Sequence, residues 1–160
     1  MLSVSVFFNV TSLPDSIYEY TKDSLEHMVK EGAFPDLIQV GNEIINGMLW
    51  PVAKVDPLGM ENWDLFVKLL ESGAKACREI CPKAKIIIHT EKAGEWNKIK
   101  TYYNHLWQLD YDIIGLSYYS MWHKAICISI KKVSNSVQRR IGMVLTMAQT
   151  SVLLLMLPIL

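Results

Sequence analysis

Polar and aromatic side chains that suit ligand chemistry follow three separate apolar runs of this sequence. Asn42 and Glu43 come directly after the first run, and His89 ends the second. A larger group lies at and after the end of the third run: Tyr118, Tyr119, Trp122 and His123. A carboxylate can transfer a proton, and histidine, tyrosine and asparagine can hydrogen-bond a polar ligand. The shared placement predicts one site built from all three segments.

Each of these residues also has an ordinary structural explanation. A carboxylate after a strand is often a helix cap or a solvated loop residue, and a histidine at a strand end is often part of the core. Trp50, Tyr118 and Trp122, each taken alone, are typical of packing residues. The case for a site therefore depends on their common position and not on any one of them.

Three apolar runs with strand character alternate with three helical periods. The runs are residues 36–41, 85–89 and 112–118. The helical periods begin at Ser16, where Glu19 would complete a capping box, at Trp63 and at Trp96, and glycine or proline stops the first two.

This alternation predicts right-handed β-α-β units and a parallel sheet, and hence an α/β fold. In such folds the chemistry collects at the carboxyl ends of the strands. The residues singled out above occupy those ends.

Composition narrows the class of ligand. The chain has 160 residues, 51% of them hydrophobic, which is typical of one globular domain. Basic and acidic residues both number 16, so no charge excess attracts nucleic acid or an anionic membrane, and a neutral ligand is favoured. Cys77 and Cys81 are predicted to be buried thiols. The N-terminus lacks the basic residue of a secretory signal, and none is predicted.

Residues 41–51, Gly-Asn-Glu-Ile-Ile-Asn-Gly-Met-Leu-Trp-Pro, resemble the signature of glycoside hydrolase family 53, the endo-β-1,4-galactanases acting on arabinogalactan type I. Two further segments occur in the order of that family. Residues 86–89 resemble its fifth strand, and residues 112–119 with Trp122 and His123 resemble its sixth strand and following loop. The resemblance covers residues 16–124.

The resemblance implies a partial (β/α)₈ TIM barrel, with about three central β/α units, and retaining hydrolysis of β-1,4-galactosidic bonds. Glu43 falls on the general acid/base position, and Asn42 would bind the 2-hydroxyl of the reacting sugar. The remaining substrate-binding candidates are Trp50, His89, Tyr118, Tyr119, Trp122 and His123. No cofactor or metal is implied. The expected partner is the polysaccharide, and the expected location is extracellular.

The chain also departs from the family pattern. No Glu-Thr-x-Tyr-Pro strand end follows Lys124, so the nucleophile glutamate has no counterpart, and residues 1–15 and 125–160 diverge. Residues 141–160 carry no charged side chain, which indicates either a frameshifted tail or a membrane segment.

Three functions therefore remain open. The first is a galactan hydrolase, inactive if it is only a fragment. The second is a non-catalytic remnant or galactan-binding module, and the third is a membrane-tethered protein.

Overall fold

A computed structural model describes residues 12–118, 143–147 and 155–156 of the chain. Within these residues, helices alternate with strands of a parallel sheet. The helices are α1 (Leu13–Lys30), α2 (Trp63–Ile80) and α3 (Trp96–His105). The strands are β1 (Leu37–Gln39), β2 (Gly47–Met48), β3 (Ala53–Lys54), β4 (Lys85–Thr90), β5 (Ile113–Tyr118), β6 (Met143–Met147) and β7 (Leu155–Met156).

The predicted helix at Ser16 exists, but it begins earlier. Helix α1 starts at Leu13, with Pro14 in its first turn, where the missing N–H of proline costs no helical hydrogen bond. Ser16 lies inside the helix and its hydroxyl donates to the Ser12 carbonyl at 3.0 Å. The predicted capping box is therefore wrong. Gly32, with a φ of +82°, follows the helix end as predicted.

Helix α2 carries the strongest apolar period, and its buried face is the centre of the core. Trp63, Phe66, Leu70 and Ala74 recur at spacings of three and four, and all four are buried. The helix packs against α1. Cys77 and Cys81 are buried free thiols, as predicted, and burial raises the pKa of Cys77 to about 12.

The main sheet has the order β6-β5-β4-β1-β7, and every neighbouring pair is parallel. Its central strand, β4, is covered on both faces, since Ile86, Ile87 and Ile88 are all at most 1% exposed. The three predicted strands and the intervening helices are confirmed, and with them the α/β class. Because these strands are parallel, the carboxyl ends of β1, β4 and β5 lie side by side at the same end of the sheet.

A charged network ties the opposite ends of β4 and β5 together. The Arg78 guanidinium binds Asp110 at 2.8 Å and Asp112 at 2.8 Å, and donates to the Ala84 carbonyl at 3.0 Å. Burial would raise the pKa of Asp112, but hydrogen bonds from the Ile86 N–H, Arg78 and Lys85 outweigh it and lower that pKa. The network therefore fixes the strand ends farthest from the predicted site.

The hydrophobic tail predicted at residues 125–160 contributes two strands to this sheet. Strand β6 pairs with β5, and β7 pairs with β1. The rest of the tail, and residues 1–11, lie outside the described residues. In the part of the chain that is described, no helix has both the length and the apolar character needed to cross a membrane.

Candidate active site

Glu43 lies in a tight turn after β1. The φ angle is +78° at Gly41 and +51° at Glu43, so both residues adopt left-handed backbone. A Cβ at Gly41 would lie 2.6 Å from Ile44 Cδ1, and glycine avoids that clash. For glutamate this conformation costs about 1–2 kcal/mol, and such strain is concentrated at functional sites. The turn brings the half-buried Glu43 side chain to the carboxyl end of β5.

A hydrogen-bonded chain connects Glu43 to the ends of β4 and β5. Ser117 Oγ lies 2.6 Å from Glu43 Oε1 and 3.0 Å from His89 Nε2. On the other side of the imidazole ring, His89 Nδ1 lies 3.1 Å from Asn42 Oδ1. Gln39 Nε2 donates to that same Asn42 oxygen at 3.1 Å. A carboxyl, a hydroxyl, an imidazole and two amides thus form one continuous polar network.

Gly115 makes room for the imidazole of this network. It lies beside His89 in the register of β5 against β4. A Cβ at Gly115 would stand 3.0 Å from His89 Cδ2 and 3.0 Å from Ile87 Cγ2, which is closer than packed atoms normally approach. The absence of a side chain at Gly115 therefore leaves room for the His89 ring, which reaches Ser117.

Burial sets the charge preferences of the site. His89 is 4% exposed, and burial lowers its pKa, although the negative charge of Glu43 opposes this. Burial raises the pKa of Glu91, hydrogen bonds from backbone N–H groups oppose the shift, and the charge of Glu43 adds to it. Glu91 Oε2 also accepts a hydrogen bond from the Ile45 N–H at 3.4 Å. Burial therefore favours the neutral form of the His89 imidazole and the protonated form of the Glu91 carboxyl group.

The structure brings together three of the residues predicted from sequence: Asn42, Glu43 and His89. Trp50 lies on the turn between β2 and β3, where it is 59% exposed. Its indole N–H donates to the Asn46 carbonyl at 3.1 Å, and the Lys54 ammonium lies 4.4 Å from the ring centroid. The backbone of Tyr118 ends β5, whereas Tyr119, Trp122 and His123 lie outside the described residues.

Three polar residues that contact the site were not predicted from sequence: Gln39, Glu91 and Ser117. A usable signal was their position within or directly after the three parallel strands, since Ser117 and Gln39 each interrupt an apolar strand. Among the described residues, no group of three or more histidine, cysteine, aspartate or glutamate side chains is placed to hold a metal ion.

Comparison with known proteins gives one consistent result. The sequence model of glycosyl hydrolase family 53 matches residues 6–154, a wider range than the motifs alone indicated. A probable arabinogalactan endo-beta-1,4-galactanase A of Aspergillus flavus is 30% identical over 152 residues, covering 89% of this chain and 42% of the relative.

Two solved structures share the fold. The catalytic domain of a family 53 protein from Ignisphaera aggregans superposes with a TM-score of 0.70 at 29% identity, over 88% of this chain and 38% of that one. A fungal beta-1,4-galactanase gives a TM-score of 0.71 at 24% identity, over 85% of this chain and 43% of that one. The chain spans less than half the length of these relatives.

Proposed function

We propose that this chain, which belongs to glycosyl hydrolase family 53, carries the acid-bearing part of a barrel that hydrolyses β-1,4-galactosidic bonds, with Glu43 as the proton donor. The names of its relatives support galactan as the substrate. The superposition on solved family structures supports a section of a TIM barrel. A polymeric substrate of this kind is met outside the cell, so we expect an extracellular site of action.

The observation that carries the proposal is the environment of Glu43. Its carboxyl group is half-buried at the carboxyl end of a parallel sheet, and Ser117 lies 2.6 Å away. In glycoside hydrolysis, a carboxylic acid protonates the departing glycosidic oxygen while a second carboxylate attacks the anomeric carbon in retaining enzymes. Glu43 fits the first of these roles.

Hydrolysis by this chain also depends on the second carboxylate, the one that attacks the anomeric carbon. Residues 113–160 contain neither aspartate nor glutamate, so neither β6 nor the sequence after it supplies one. Glu91 lies near Glu43, but it is held by the Ile45 N–H. We therefore expect the chain in its given form to hydrolyse galactan weakly or not at all.

A galactan-binding role is the second candidate. The exposed indole of Trp50 favours it, because sugar rings stack their C–H faces on flat aromatic surfaces. Binding of this kind needs no nucleophile. The two candidates differ in whether Glu43 ever gives up its proton to a substrate.

Adding an external nucleophile tests the acid directly. The chain is incubated with β-1,4-galactan, with and without sodium azide, and released oligosaccharides are measured. Azide would attack the anomeric carbon, the glycosidic bond would break, and the Glu43 proton would pass to the departing oxygen. We expect azide-dependent release that Glu43→Gln abolishes and that the exposed control Glu61→Gln retains.

Calorimetric titration with galacto-oligosaccharides separates the alternatives. Binding by the folded chain without cleavage under either condition would reject hydrolysis and favour the binding module. In that case Trp50→Ala should weaken binding, whereas Trp107→Ala, which alters a more exposed tryptophan after α3, should not.

A further inference from the structure

The β2–β3 hairpin carries a tryptophan and a lysine side by side on its surface. Trp50 is 59% exposed, and the ammonium of the exposed Lys54 lies 4.4 Å from the centroid of its ring. Strand β2 begins at Gly47, which pairs with Lys54. The Trp50–Lys54 pair therefore belongs to the segment that directly follows Glu43.

Backbone contacts hold the indole of Trp50 in place. Its N–H donates to the Asn46 carbonyl at 3.1 Å, and the Val55 N–H donates to the same oxygen at 3.1 Å. Gly47, at a φ of +83°, has no room for a side chain against the Ala53 carbonyl, so the two strands approach closely. The indole N–H is thus already used. The ring offers a ligand its flat surface.

The charge of Lys54 is not neutralised by the part of the chain that the structure describes. No carboxylate there lies within ion-pair distance of its ammonium. Asp56, two residues away, accepts the Leu58 N–H at 3.0 Å and acts electrostatically on Lys98 of α3. The zero net charge of the whole chain does not cancel this cation, because salt screens exposed charges beyond about 8 Å.

A second cluster of cations and an aromatic ring shows the contrast. On the surface of α1 and α2, the ammonium groups of Lys22 and Lys75 lie 5.8 Å and 5.0 Å from the Tyr18 ring centroid. Glu79 accepts the Tyr18 hydroxyl at 2.6 Å and pairs with Lys22 at 3.8 Å. A carboxylate of the chain thus completes that cluster. Among the described residues, none does so beside Lys54.

This difference defines a class of ligand. A sugar ring stacks its C–H face on an indole, and a carboxylate pairs with an ammonium. A uronic acid has both features in one residue, because its C6 is a carboxylate. The uronic acid of galactose keeps the ring of galactose and differs only at C6.

We propose that Trp50 and Lys54 form a binding subsite for a negatively charged sugar, with the indole as the stacking surface and the ammonium as the partner of the sugar carboxylate. The subsite would favour galactan that is attached to an acidic polysaccharide. Its place beside a galactan-cleaving centre rests on the proposed function. Binding of a uronate does not, because it needs only these two side chains.

Calorimetric titration with a matched pair of ligands tests the subsite. The ligands are trigalacturonate and its methyl ester, which is the same sugar without the charges. We expect the folded chain to bind trigalacturonate about fivefold more tightly at low salt, the upper effect of an exposed ion pair. The preference should disappear in about 1 M sodium chloride. Equal affinities at low salt, or no binding of trigalacturonate, would overturn the proposal.

Variants of the lysine show where the carboxylate binds. Lys54→Gln should abolish the preference, and Lys54→Arg, which keeps the charge, should retain it. Lys75→Gln removes an ammonium from the Tyr18 ring instead and should leave both affinities unchanged. Trp50→Ala should weaken the binding of both ligands. A preference that persists in a folded Lys54→Gln chain would reject the assignment.

Indole N–H signals in ¹H–¹⁵N spectra locate the bound ligand. Trigalacturonate should shift the Trp50 signal, assigned through Trp50→Phe, but not the signal of the exposed Trp107. A shift at Trp107 alone would contradict the proposal.

Parallel incubation with β-1,4-galactan separates this proposal from the proposed function. A chain that prefers trigalacturonate through Lys54 but neither binds nor cleaves galactan would support the subsite and reject the proposed function. A chain that cleaves galactan but binds both trisaccharides equally would reject the subsite alone.

Discussion

Tyr102 and Tyr103 are consecutive in α3, and their rings meet edge to face at 5.1 Å, but their hydroxyl groups are in opposite situations. Tyr103 Oη donates to the Ile88 carbonyl at 3.0 Å and lies 3.3 Å from Thr90 Oγ1. Tyr102 Oη is buried with no hydrogen-bond partner among the described residues. Burial raises the pKa of both hydroxyls, so both stay neutral.

Removing each hydroxyl should therefore have different effects. Tyr103→Phe should lower the free energy of unfolding by about 1–2 kcal/mol, because it leaves buried polar groups of β4 without their donor. Tyr102→Phe should leave stability unchanged or raise it, since no hydrogen bond is lost. Urea unfolding of both variants measures the difference, and a larger loss in Tyr102→Phe would contradict it.

The Arg78 network should be sensitive to geometry as well as charge. Arg78→Lys keeps the charge but loses the planar fork that binds Asp110 and Asp112 together, so we expect a loss of about 1–2 kcal/mol in unfolding free energy. Lys22→Gln removes the looser pair with Glu79, at 3.8 Å, and should change stability little. If Arg78→Lys and Lys22→Gln changed the unfolding free energy equally in urea titrations, the planar geometry of the Arg78 guanidinium would not contribute to stability.

His105 should make the fold less stable in mild acid. Its ring stacks on Trp63 with centroids 3.9 Å apart, and burial lowers its pKa below the usual 6.5. The unfolded chain therefore binds the proton more tightly, so stability is complete above about pH 6.5 and falls as pH decreases through the folded pKa. His105→Gln should flatten this fall in thermal unfolding, whereas Asn104→Gln, at the exposed and non-titrating neighbouring position, should not.

Two glycines offer a matched test of how His89 is positioned. An added Cβ would stand 3.0 Å from His89 Cδ2 at Gly115 and 3.0 Å from Val40 Cγ1 at Gly73. Gly115→Ala should displace the imidazole, shift its NMR signals and cost about 1–3 kcal/mol. Gly73→Ala should leave those signals in place and cost less, since alanine favours the helix. Unchanged His89 signals in Gly115→Ala would contradict this account.

The sequence predicted the elements with strong periods but not the contacts between them. Helix α2 and strand β4 have uninterrupted apolar patterns, and both are found where expected. The residues that contact Glu43 were less accessible to prediction. Ser117 lies 74 positions from Glu43, and only the parallel register of β5 with β4 and of β4 with β1 brings them together.

The start of α1 shows a different limit of sequence reasoning. Ser16 and Glu19 have the spacing of a capping box, but Pro14 allows the helix to begin one turn earlier. Both starts satisfy local rules, and packing against α2 favours the longer helix.

The left-handed backbone at Glu43 creates a conflict between stability and the proposed activity. Other residue types would stabilise this turn, whereas the proposed acid role needs glutamate. Asparagine and glycine adopt a φ of +51° more readily than glutamate does. A library of this chain screened only for expression or heat resistance should therefore drift away from glutamate at position 43. Stability-guided redesign would therefore tend to remove the proposed proton donor, unless that position is held fixed.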